Sequence, residues 1–167
     1  MTEPKRWRSM WPRVGRRELV HSVRTAIAAV AALLIGRLFK LPESYWAAIT
    51  TMIVMQSTLG AALTISQQRL AGTALGAAMG ALFARYAGQN LAAFGVGIFL
   101  SGVICAVLHM GRSAYRYAGI TLAIVMLVAR TQPAWVIAIH RFIEISIGIV
   151  VGLLLTAVWP ESQSSVR

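Results

Sequence analysis

Six apolar runs follow one another along this chain, at about 20–39, 44–60, 64–86, 90–109, 114–130 and 134–159, with only a few residues between them. A helix crossing the hydrocarbon core of a bilayer needs about 20 residues. The first, third, fourth and sixth runs reach that length. The second and fifth are shorter and read as short or partly polar-lined helices. A water-soluble fold fails on supply. Charged residues make up 13% of the chain, against about 25% in a soluble domain, so too few remain to coat this much apolar surface. The expected fold is all-α: a polytopic membrane protein with six transmembrane helices.

The breaks between runs carry turn chemistry. Leu41-Pro42-Glu43-Ser44 offers Ser44 as an N-cap, and Gly88-Gln89-Asn90 and Gly111-Arg112-Ser113 are turn formers. Thr131 reads as a cap before Pro133, which starts the last helix. Three parts result: a basic N-terminal segment over 1–18, a six-helix membrane domain over 19–160, and a short cytoplasmic tail over 161–167. In the first part, Trp7, Met10, Trp11 and Val14 lie at helical spacing among basic residues. That pattern suits an amphipathic helix on an anionic leaflet. A basic tail that only sets topology suits it equally, since Pro12 interrupts the helix.

The formal net charge is +11. A basic balance of this kind points either to nucleic acid or to a membrane surface. Seven of the sixteen Lys and Arg lie in the first 24 residues, beside the first apolar run, and this placement favours the membrane over nucleic acid. With the N-terminus inside, eleven Lys and Arg fall on the cytoplasmic side and five on the other. Both termini are therefore expected in the cytoplasm.

Catalysis is excluded by inventory. Aspartate is absent, and of the five glutamates only Glu144 lies deep in an apolar run. No carboxylate pair, no Ser-His-Asp set, no phosphate-binding Gly-rich loop and no His/Cys metal cluster can be assembled, so no cofactor or metal is expected. Cys105 is the lone cysteine.

The chain repeats itself. RLAGTALGAAMG (69–80) sets Arg69 ahead of Gly72, Gly76 and Gly80; RFIEISIGIVVG (141–152) sets Arg141 ahead of Gly148 and Gly152, with Glu144 in the place of the first glycine. The offset is 72 residues, and AITTMIVM (48–55) matches GITLAIVM (119–126) at an offset of 71. Each repeat then holds three helices, and an odd number of crossings inverts the second copy relative to the first. Inverted repeats place a substrate path at their interface near mid-membrane. The glycines need only be packing surfaces, since small residues four apart let helices approach closely in lipid. The same glycine faces, together with the small size of the bundle, predict a homodimer or higher oligomer. Packing does not explain the arginines.

YWAAITTMIVMQSTLGAALTISQQRLAGTALGAAMGALFA (45–84) resembles the core of the fusaric acid resistance family. The resemblance rests on Tyr45-Trp46, Gln56-Ser57 with Gly60, and Arg69, Gly72, Thr73 and Gly76; the closing helix, RFIEISIGIVVGLLLTAVWP (141–160), completes it. It covers roughly residues 19–160. It implies six helices per unit, residence in the bacterial inner membrane, and export of small organic, often aromatic, carboxylates. Many members carry a cytosolic domain after the sixth helix, which leaves a partner subunit as an open possibility here. Two other classes stay open: an oligomeric anion channel, and a non-transporting accessory or scaffold subunit.

An anion path needs cations, and a charge in mid-membrane costs at least about 2.5–3.5 kcal/mol unless it faces a cavity or a partner. Arg24, Arg69 and Arg141 are the candidates, each set against snorkelling to the surface. Gln56, Thr50 and Thr51 either line the path or bond a neighbouring helix. Tyr45 and Trp46 either stack on an aromatic substrate or anchor at the interface. His140 is a titrating group or a satisfied structural histidine. Arg141 and Glu144, at i and i+3, are placed to pair. That pair either neutralises itself or couples a proton to substrate, because a protonated Glu144 would release Arg141.

Overall fold

The computed structural model describes residues 15–55, 58–128 and 132–159. These residues form helices α1 (Arg16–Leu38), α2 (Tyr45–Val54), α3 (Leu59–Ala87), α4 (Leu91–Val107), α5 (Arg112–Leu127) and α6 (Ala134–Val158), and no strand occurs among them. The basic segment up to residue 14, the Gln56-Ser57 pair, Arg130, Thr131 and the tail lie outside the described residues.

Local chemistry sets the helix ends. Glu18 accepts from the Gly15 N–H and closes the first turn of α1. The Thr58 hydroxyl accepts from Ala61 N–H at 3.2 Å, and the Asn90 side chain accepts from Ala92 and Ala93 at 2.8 and 3.4 Å. The helices α1 and α4 end alike. Lys40 and His109 take the left-handed conformation, at φ of 54° and 52°. Behind them Leu41 N–H bonds Gly36 C=O at 3.1 Å, and Met110 N–H bonds Cys105 C=O at 2.9 Å. Both are glycine-type helix stops carried by other residues.

Three expectations change. The run at 44–60 is not one span: α2 is 10 residues long and ends at Val54, and α3 begins at Leu59 rather than 64. Gln56, Ser57 and Thr58 interrupt the apolar run at that break, and the Thr58 side chain caps α3. Ser44 is the N-cap residue of α2, but its side chain makes no capping hydrogen bond. Its side chain is buried against α1, where a Cβ on Gly36 would come within 2.7 Å of the Ser44 Cβ. Pro133 is the N-cap residue of α6 rather than its first helical residue. Two helices are long and apolar enough to cross a bilayer, over Glu18–Leu38 and Ala134–Val158. At 1.5 Å per residue, α2 spans only about 15 Å, half of a hydrocarbon core.

The neighbour relations have a symmetry. The pairs in contact are α3 with α5 and α2 with α6; α1 with α2 and α4 with α5; α1 with α6 and α3 with α4; α5 with α6 and α2 with α3; and α3 with α6. Exchanging α1, α2, α3 for α4, α5, α6 maps this set onto itself. The glycine contacts obey the same exchange. A Cβ on Gly76 would lie 2.2 Å from the Ala118 carbonyl oxygen, and one on Gly148 would lie 2.4 Å from the Ala47 carbonyl oxygen. Likewise Gly80 meets Val125 and Gly152 meets Val54. Both ladders are thus consumed inside one copy, where they seat α5 on α3 and α2 on α6. This use takes them out of the oligomer interface for which they were also expected.

Burial runs opposite to a soluble protein. Leu19, Val23, Ile27, Val30, Leu34 and Leu38 form an exposed stripe along α1, and Trp135, Ile139, Ile143, Val150, Leu154 and Val158 do so on α6. Arg24, Thr50, Thr51, Ser66, Arg69, Thr73, Ser101, Thr121, Arg141, Glu144 and Thr156 are buried. An outward apolar face of this extent needs a partner other than water.

Candidate functional site

The arginine of each repeat reaches the same place. A cavity of about 200 Å³ lies between the two halves, lined by Trp46, Ile49, Ile53, Arg69, Thr73, Tyr117, Ile120, Thr121, Ile124, Arg141 and Ile145. Its walls come in equivalent pairs. Trp46 and Tyr117, Ile49 and Ile120, and Ile53 and Ile124 stand 71 residues apart; Arg69 and Arg141, and Thr73 and Ile145, stand 72 apart. Thr121 pairs with Thr50, which touches Arg69. The cavity therefore sits where the two repeats meet.

Each guanidinium lies over an aromatic ring of the opposite repeat. Arg69 is 4.8 Å from the Tyr117 ring centroid, and Arg141 is 4.0 Å from that of Trp46. Such stacking holds a cation in an apolar wall while leaving its edge N–H groups aimed elsewhere. Arg69 donates from Nε and Nη2 to the Thr50 hydroxyl at 3.2 and 3.0 Å. Among the described residues it has no carboxylate partner.

Arg141 is held differently. Its Nη2 donates to Glu43 Oε2, and its Nη1 lies 3.9 Å from Glu144 Oε2. Glu144 in turn accepts from the Glu43 backbone N–H at 3.0 Å. The equivalents of Glu144 and Glu43 in the first repeat are Gly72 and Ala114, which meet in bare backbone contact. Two acids have thus replaced a glycine and an alanine around one arginine only. Because Glu43 also holds Arg141, protonating Glu144 alone leaves the guanidinium with a carboxylate. The simple release expected from the sequence needs both acids.

The other candidates disperse. Arg24 is fully buried and does not line the cavity: its Nη1 donates to the carbonyl of Trp159, at the C-terminal end of α6. A cation there meets the negative end of the helix. Thr51 bonds the carbonyls of Ala47 and Gly148, both at 2.9 Å, and ties α2 to α6. Tyr45 is exposed and touches Trp46 at a centroid distance of 5.7 Å without lining the cavity. His140 is half-buried and does not line it either. Gln56 lies outside the described residues. Sequence reasoning passed over Tyr117 and Glu43. The first was legible, since adding 71 to Trp46 gives Tyr117. The second was hidden in a turn.

Residues 29–155 match the fusaric acid resistance protein-like family. The chain belongs to that family. Among its relatives, inner membrane protein YeeA of Escherichia coli (strain K12) is 30% identical over 149 residues, covering 86% of this chain and 41% of YeeA. The "uncharacterized transporter YdhK" of the same strain is 27% identical over 164 residues, 93% of this chain and 24% of YdhK. YdhK of Salmonella typhimurium is 26% identical over 152 residues, 86% and 22% of the two chains. The chain thus spans less than half the length of these relatives. No solved structure matches it.

Proposed function

We propose that this chain is the membrane-embedded unit of a transporter for small organic anions, with aromatic carboxylates as the preferred cargo. One observation carries the reading: two arginines from equivalent positions of two repeats line one largely apolar cavity, each backed by an aromatic ring. A carboxylate needs cations; an aromatic ring needs the isoleucine walls and the Trp46 and Tyr117 faces. The volume of about 200 Å³ suits a single substituted benzene ring. The membrane setting rests on the exposed apolar stripes and buried polar residues, and on the names borne by the relatives. In this reading the six helices are two three-helix inverted repeats, supported by the exchange symmetry of the helix contacts.

The direct test is flux. Vesicles containing the purified protein and loaded with labelled benzoate are expected to release it faster than protein-free vesicles. Equal rates for benzoate and for every substituted benzoate tried would remove the reading.

Topology is tested separately. With the basic N-terminus inside, Leu41 and Gly88 face outward and Thr58 and Gly111 face the cytoplasm. Single cysteines at these four positions, on a Cys105→Ala background, are expected to react with an impermeant thiol reagent from opposite sides in pairs. Position 58 is chosen because it immediately precedes α3. Labelling of both pairs from one side contradicts the inverted arrangement.

A further inference from the structure

Resting on the anion-site reading, we infer that the cavity is a one-carboxylate site with a fixed polarity: the carboxylate sits on Arg69 and Thr73, the ring points toward Arg141, and dicarboxylates are rejected. The argument comes from where the pairing of the two repeats breaks. Three equivalent positions differ in chemistry around the two arginines, and all three differ in the same sense. Where the first repeat has Gly72, the second has Glu144; where the second has Ala114, the first has Glu43; where the first has Thr73, the second has Ile145.

The first two breaks place two carboxylates against Arg141. Counting formal charges, that end holds one cation and two anions, while the Arg69 end holds one cation and no carboxylate among the described residues. An incoming anion is attracted to the Arg69 end and repelled from the other. The third break supplies a donor at the attractive end. Thr73 follows Arg69 by one helical turn on α3 and is 1% exposed. Thr73 belongs to the cavity lining, and its buried hydroxyl finds no hydrogen-bond partner among the described residues. A buried hydroxyl without a partner is rare, and a ligand oxygen beside Arg69 would satisfy it. At the equivalent place near Arg141, Ile145 offers only apolar surface. The Trp46 indole N–H, buried and also without a described partner, lies on the ring side, where a neutral oxygen substituent of the ring would meet it.

A second carboxylate on the same ring would approach Arg141, whose charge Glu43 and Glu144 already more than offset. Specificity would then come from repulsion as much as from the attraction at Arg69. The test uses the full chain in nanodiscs and two acids of the same ring and similar length, 4-methylbenzoate and terephthalate. Binding is measured by calorimetry on wild type and on Thr73→Val. Wild type is expected to bind 4-methylbenzoate at least about tenfold more tightly than terephthalate. Thr73→Val is expected to weaken 4-methylbenzoate about tenfold, the loss of one hydrogen bond to a charged group. Its thermal midpoint should not fall, because the hydroxyl serves no protein partner. Equal affinities for the two acids, or unchanged affinity in Thr73→Val, overturn the inference and leave the anion site standing. A wild-type protein that binds neither acid overturns both.

Discussion

Replacing Arg69 with methionine is expected to abolish anion binding and to leave the protein folded. The two halves of this result have separate causes. Arg69 is 4% exposed, and its side-chain partners are the Thr50 hydroxyl and the Tyr117 ring. No carboxylate is abandoned when it goes, so the usual penalty for breaking a buried ion pair does not arise. Methionine fills much of the same volume and meets the tyrosine ring favourably. Binding has no such substitute. Truncating one partner of a desolvated charge pair costs about 2–5 kcal/mol, roughly a 30- to several-thousand-fold loss of affinity. Calorimetry with benzoate and a melting curve on the same sample read both halves. Wild-type affinity in Arg69→Met would mean that the cavity is not where the anion sits. Arg141 makes a poor substitute target, because its removal strands Glu43 and Glu144 together.

Gly76→Ala and Gly148→Ala should each destabilise the bundle by about 3 kcal/mol or more, at the top of the range for overpacking. Most core insertions are absorbed by side chains that shift. Here the new Cβ would stand 2.2 Å from the Ala118 carbonyl oxygen in one case and 2.4 Å from the Ala47 carbonyl oxygen in the other. Backbone must move against backbone, and with it the wall of the cavity. Gly95→Ala is the matched control, since nothing lies within 4 Å of its Cβ position. Melting curves are expected to show Gly95→Ala near wild type and both ladder variants far below it. A Gly76→Ala protein that melts with the control would show that α3 and α5 do not approach as closely as described.

Periodicity and inventory carried much of this molecule. The apolar runs located the six helices, although not the end of α2 or the start of α3. The offsets of 71 and 72 exposed the repeat, and with it the equivalence of Arg69 and Arg141. The spacing of Arg141 and Glu144 announced their contact, since i and i+3 always share a helix face. The ladder glycines were legible as close-packing positions, although not as the internal seams α3–α5 and α2–α6.

Tertiary structure alone decided the rest. The end of α2 at Val54 and the start of α3 at Leu59, where the Thr58 side chain caps the helix, differ from the bounds the apolar runs suggested. Arg24 resembled Arg69 by depth and by context, yet its guanidinium meets the last carbonyl of α6, a partner 135 residues away along the chain. Glu43 belongs to a turn between α1 and α2 and carries no periodic signal, so its place against Arg141, 98 residues on, follows from packing alone. The last two cases share a cause. Hydropathy and spacing report what a residue's own helix requires of it, whereas a buried charge is placed by the element that folds back to meet it.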